Sequence, residues 1–133
     1  MPLEALSILV YSVLIFIALA VQGGYASMTA GTAYGFSNRV DAQPGKGPAG
    51  HRIDKTLGNL KEGGILYLPL ALLAVSLDIS NGWTWWAALV TIVSRLVYVP
   101  VFYFGIPVVR TFVWVPSFFA VPVMAVGILV GAP

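Results

Sequence analysis

Hydrophobic and polar positions alternate along this chain in long blocks, not residue by residue. From Ala5 to Val21 only Ser7 and Ser12 interrupt an apolar run. A helix needs about 20 mainly apolar residues to cross the hydrocarbon core of a bilayer, so the pattern predicts a first membrane helix over about 4–23. Glu4, with no Lys or Arg beside it, and the lack of a small-residue cleavage site before a polar domain argue against a cleaved signal peptide. A loop is expected over 24–50, where Asp41-Ala-Gln-Pro-Gly-Lys-Gly-Pro-Ala-Gly50 is built of turn-forming residues. The next helix, about 51–77, is polar for three turns and apolar thereafter. Asp78, Asn81 and Gly82 make a turn, and Trp83, Trp85 and Trp86 then cluster as interfacial aromatic residues do. A third apolar helix follows over about 83–104, and a tight connection at Gly105, Ile106 and Pro107 leads to a fourth over about 107–131. Pro69, Pro100, Pro116 and Pro122 fall within apolar spans, where kinks are expected and breaks are not. The expected fold is an all-α integral membrane protein, an antiparallel bundle of four transmembrane helices in a single domain.

Composition removes the main competitors. The 133 residues are 59% hydrophobic and 9% charged, with a mean hydropathy of +0.90. A soluble domain carries about 25% charged residues, and one of this size could not hide so much apolar side chain. The net charge of +2 belongs to one segment, because eight of the twelve charges lie between Arg39 and Glu62. Membrane loops carry such basic residues for orientation, so the 24–50 loop is expected in the cytoplasm and both termini on the opposite side. No nucleic-acid partner is inferred. Without cysteine there is no disulfide, thiolate nucleophile or cysteine metal site, and His51 alone does not make a zinc site.

A few polar residues call for explanation. Arg52, Lys55, Asn59 and Glu62 are spaced 3, 4 and 3, which keeps them on one helical face. They are a solvated helix entrance or a binding face. Arg95 has 16 uncharged residues before it and 14 after it. An arginine at that depth costs at least about 2.5 kcal/mol, so it is expected to face the interior with a partner. Glu62 is the acidic residue expected at membrane depth, and the pair either fixes helix packing or binds a ligand. Tyr98 and Phe102 share the face of Arg95, and Arg110 stands at the mouth of the last helix, where it could also snorkel to headgroups. Glu4 and Asp78 are expected near the far face.

These residues resemble a known family. Arg52-Ile-Asp-Lys55-Thr-Leu-Gly-Asn59-Leu-Lys-Glu62 is similar to the Arg-x-x-Arg-x-x-x-Asn-x-x-Glu signature that opens the second helix of the MAPEG family, the membrane-associated proteins in eicosanoid and glutathione metabolism. Ser94-Arg95-Leu-Val-Tyr98-Val-Pro100-Val-Phe102-Tyr103-Phe-Gly105-Ile-Pro107-Val-Val-Arg110 and Asn38-Arg39-Val-Asp41 resemble its bacterial members. The resemblance implies a homotrimer in a bacterial inner membrane, with glutathione as co-substrate between protomers at the cytoplasmic side. It implies that Arg52, Lys55, Asn59, Glu62, Arg95 and Tyr98 bind glutathione and that Arg110 stabilises its thiolate. A lipophilic small molecule would be the acceptor. Lys55 replaces the signature's second arginine, Phe102 a frequent tyrosine and Ile65 a frequent proline.

Two functional classes follow. One is a glutathione-dependent transferase or peroxidase. The other is a non-catalytic structural or accessory subunit with a partner in a larger membrane assembly. A small four-span transporter would rely on a membrane-embedded acidic residue in the first helix, and Glu4 sits at the chain's start.

Overall fold

The computed structural model describes residues 1–38 and 45–133. Arg39 and Asp41 of the motif ahead of the second long helix lie outside the described residues. The elements are α1 (Leu3–Ala30), α2 (Thr32–Phe36), α3 (Pro48–Ser76), α4 (Gly82–Tyr103) and α5 (Pro107–Gly131). Three of them, α1, α4 and α5, are long and apolar enough to cross a membrane. The fourth long helix, α3, carries the polar signature in its opening turns and packs against the other three. Among the described residues α1 and α5 do not touch, so α3 and α4 form the middle of the molecule.

The helix boundaries have local causes. α1 continues past Gly23-Gly24 to Ala30, because its last turns dock on the start of α3. There the Tyr25 hydroxyl accepts the Gly47 N–H at 3.3 Å, and Gln22 donates to Asp54 at 2.9 Å. α3 starts on Pro48, whose fixed φ suits a first helical turn and whose missing N–H is no loss there. Asp78, with φ of 54°, turns the chain out of α3. α4 opens on a capping box: the Asn81 side chain accepts the N–H groups of Trp83 and Thr84, and Thr84 Oγ1 accepts the Asn81 N–H. Asn81 also donates to the Gly127 carbonyl at 2.8 Å, tying α5 to that end. α3, α4 and α5 each run on through their internal prolines.

Small residues fill the contacts. Ala18, Ala71, Ala74, Ala87, Ala88 and Ala120 are buried, while Phe16, Ile65, Trp86, Phe112 and Leu129 are turned outward. Hydrocarbon supplies no hydrophobic drive for helices to associate, so close backbone approach by small residues takes over. Gly127 marks a close approach of α5 to α4: a Cβ there would lie 2.7 Å from Thr84 Cγ2.

Glu4 lies beside the α3–α4 turn, the end it shares with Asp78, and the sequence does not indicate how completely that turn covers it. It is 1% exposed, and its Oε1 accepts from Ser80 Oγ at 3.0 Å and Thr84 Oγ1 at 2.6 Å. Asp78 is exposed in the turn, as expected. Beside Glu4, Ser7 donates to the Glu4 carbonyl and bonds the Tyr67 hydroxyl. Glu4 thus fastens the start of α1 to the opening of α4. Glu4→Ala strands two hydroxyls and should lower stability by about 1–3 kcal/mol in detergent unfolding titrations. Glu4→Gln keeps the Oε1 acceptor and should lose less.

Candidate functional site

The opening of α3, the last turns of α4 and the first turns of α5 line an open cavity of about 700 Å³. That is within the usual range for small-molecule sites, about 300–1,000 Å³. The 4 and 3 spacing on α3 brings Lys55, Asn59 and Glu62 to its wall, together with Asp54 and Gly58. α4 contributes Tyr98 and Phe102, and α5 contributes Arg110, Thr111 and Trp114. Five of the seven residues singled out from sequence therefore share one cavity. The other two sit elsewhere. Arg95 lies deeper, on a smaller chamber of about 160 Å³ that also has Asn59, Glu62 and Trp114 in its wall. Arg52 does not line either space; it turns toward the end of α4, donating from Nε to the Tyr103 carbonyl at 3.1 Å.

Three contacts order the wall. Asn59 Nδ2 donates to the Tyr98 hydroxyl at 2.6 Å. Tyr98 therefore uses a lone pair on Asn59 and keeps its own O–H for the cavity. Tyr98 packs against Phe102 at 5.5 Å between ring centroids, and the Arg110 guanidinium stands 5.2 Å over the Phe102 ring. A cation on an aromatic face is held in direction without being neutralised. Arg110 thus keeps its charge available at the rim.

Arg95 faces the interior as expected, at 3% exposure, but Glu62 is not its partner. Among the described residues the one ion pair joins Lys46 and Asp54. The reason is rotational. The guanidinium is laid against the bare backbone of Gly63, one residue and about 100° of helix rotation away from Glu62. It lies between aromatic faces, 5.5 Å from the Tyr11 centroid and 5.7 Å from that of Tyr98. Its Nε and Nη1 are buried without a hydrogen-bond acceptor. Glu62 itself is exposed at the cavity wall. The buried guanidinium and the separate Glu62 carboxylate thus border one small, mostly apolar chamber. Tyr11 is fixed beneath by donating to the Leu60 carbonyl at 2.8 Å.

Sequence reasoning passed over Asp54 and Trp114. Asp54 lies one residue before Lys55 in the signature, and its role depends on contacts with Lys46 and Gln22 that spacing does not reveal. Trp114 looks like any lipid-facing aromatic until its stacking on Phe118, 5.2 Å between centroids, shows it lining both spaces.

Asp54 belongs to the polar opening of α3, outside the apolar spans. Partial burial pushes its carboxyl up, but hydrogen bonds from Lys46 and Gln22 and the Lys46 charge outweigh this and hold it below the ordinary carboxylate range. A depressed folded value stabilises the charged form. The tether is therefore complete above about pH 4 and disappears as pH falls below that. Hydrogen exchange at the Gly47 and Gly50 amides, corrected for intrinsic rates, should accelerate on acidification, and in Asp54→Asn already at neutral pH.

Gly63 leaves no room for a side chain. A Cβ there would collide with Arg95 Nη2 and stand 2.6 Å from the Tyr11 hydroxyl, whereas one at Gly58 meets nothing within 4 Å. Gly63→Ala should cost about 1–3 kcal/mol. Gly58→Ala should be neutral or stabilise by up to about 1 kcal/mol, as judged by the same unfolding titrations.

No curated protein and no solved structure matches the chain. The sequence does match the MAPEG family over residues 5–130, nearly its whole length. That span takes in every residue of α3, α4 and α5 that lines the cavity. The chain is a membrane protein of the MAPEG family.

Proposed function

We propose that this protein is a glutathione-dependent transferase or peroxidase acting on a lipophilic acceptor. The observation that carries the reading is the gathering of Lys55, Asn59, Glu62, Tyr98 and Arg110 on one cavity, with Arg95 just behind it. Glutathione has two carboxylates and one ammonium group. Lys55 and the positive charge of Arg95 behind the wall suit the carboxylates, and Glu62, unpaired in the cavity wall, suits the ammonium. Lys55 offers a point charge in place of an arginine fork, so its grip on a carboxylate is less directional.

The sulfur would lie near Arg110 and the Tyr98 O–H. A nearby guanidinium stabilises the thiolate and raises its fraction at neutral pH. In conjugation, the thiol loses its proton to solvent and the thiolate forms a bond to an electrophilic carbon. The leaving group departs with the electron pair of the broken bond. Trp114 and Phe118 border the inner chamber, so an apolar acceptor arriving from the bilayer would meet aromatic faces before it meets charge.

Within this reading α3 is the fourth transmembrane helix, its polar turns standing in the headgroups and its apolar half in hydrocarbon. The 24–50 segment is cytoplasmic, and the cavity, open on one side, is completed by neighbouring copies in a homotrimer. Calorimetry with purified protein should show glutathione binding that weakens about tenfold or more when a charged hydrogen bond is lost in Glu62→Ala or Arg95→Ala. Arg110→Ala should bind glutathione but lose thiolate formation, read by ultraviolet absorbance. Absence of binding by the wild type sinks the reading and leaves the accessory-subunit alternative.

A further inference from the structure

The signature arginine that does not reach the cavity has other work. The C-terminus of α4 is closed by an arrangement of backbone bonds that can be followed group by group. Ile106 N donates to the Val101 carbonyl at 3.3 Å, and Gly105 N to the Phe102 carbonyl at 3.1 Å. Gly105 has φ of 70°. These are the paired bonds and the left-handed residue of a Schellman ending, and they leave the Tyr103 carbonyl without a backbone partner. Arg52 Nε supplies the missing donor at 3.1 Å. The fit is tight on both sides. A Cβ on Gly105 would stand 3.1 Å from Arg52 Cδ and 3.2 Å from Arg52 Nε, so the arginine occupies the notch that the glycine leaves. Its positive charge also sits where the negative end of the α4 dipole needs one.

The corner it holds is short. α5 begins at Pro107, and Arg110 follows within its first turn. Any loosening at Tyr103–Ile106 therefore displaces Arg110 from the face of Phe102 and from Tyr98. We propose that Arg52 is a positioning residue: from α3 it closes the end of α4 and sets the place of Arg110, and it is not itself a ligand of the bound tripeptide. The link to glutathione rests on the function proposed above, while the clamp on the corner stands on the geometry alone.

The test therefore has two arms, run on full-length protein in nanodiscs with wild type, Arg52→Ala, Arg52→Lys and Arg110→Ala. The first arm is hydrogen exchange and needs no ligand. Arg52→Ala should speed exchange at the Gly105 and Ile106 amides by about tenfold or more, the scale of losing a charged hydrogen bond, with the middle of α1 unchanged. Arg52→Lys retains a cationic donor and should restore most of the protection. It also serves as the working variant if the alanine form does not fold.

The second arm titrates the thiolate absorbance of bound glutathione. In Arg52→Ala the thiol pKa should rise as it does in Arg110→Ala, while the glutathione Kd changes less than about threefold, well under 1.4 kcal/mol. An unchanged exchange rate at the corner overturns the proposal. So does a Kd weakened about tenfold or more with the thiol pKa unmoved, which is the signature of a direct ligand. If wild type binds no glutathione, the functional reading falls, and the exchange arm still decides whether Arg52 clamps the corner.

Discussion

Hydrocarbon gives a hydrogen-bonding group nothing to bond to, and the interior of this molecule is arranged around that deficit. Glu4, Ser7, Tyr11 and Tyr67 are all buried, and each is met by another helix or by the turn before α4. The polar groups thus stitch α1 to α3 and α4. Alanines and glycines let the backbones come close enough for those bonds to form. Large apolar side chains, which would hold a soluble bundle together, are mostly on the outside. Arg95 is matched less completely, as are Glu4 Oε2 and the Tyr103 hydroxyl. The arginine is provided with aromatic faces instead of an acceptor, and two of its donors remain unmatched.

The same arrangement divides labour among three arginines. Arg95 is desolvated and pinned, Arg110 is exposed and directed by a ring, and Arg52 is spent on a helix end. Each is fixed by a different kind of partner, and among the described residues none of the three is paired with a carboxylate. Among the described residues, negative charge at the cavity comes from Glu62 and from Asp54, which Lys46 already occupies. Among the described residues the free charge of the site is therefore cationic, with Glu62 as the acidic group left unpaired.

Much of this could be read from the sequence, for reasons that differ between elements. Block hydropathy revealed the long helices, since a span must be apolar over its whole length. The face of Lys55, Asn59 and Glu62 was legible because helical spacing is a local property. The depth of Arg95 followed from counting uncharged neighbours on either side. Its partner did not, because whether Gly63 or Glu62 faces α4 depends on the rotation of α3, which packing sets. Glu4 escaped for a similar reason: nothing local says that Ser80 and Thr84 will be folded over residue 4. Arg52 was legible as part of a motif, but its target is a carbonyl, and carbonyls leave no mark in a sequence.

Gly63 bears on how this sequence can drift. The missing side chain there and the guanidinium of Arg95 occupy the same volume, so the two positions are locked to each other. A lineage that acquires any larger residue at 63 must first or simultaneously give up the arginine, and one that shortens residue 95 releases 63 to vary. Relatives of this chain should therefore divide into those holding the glycine together with the arginine and those that have abandoned both.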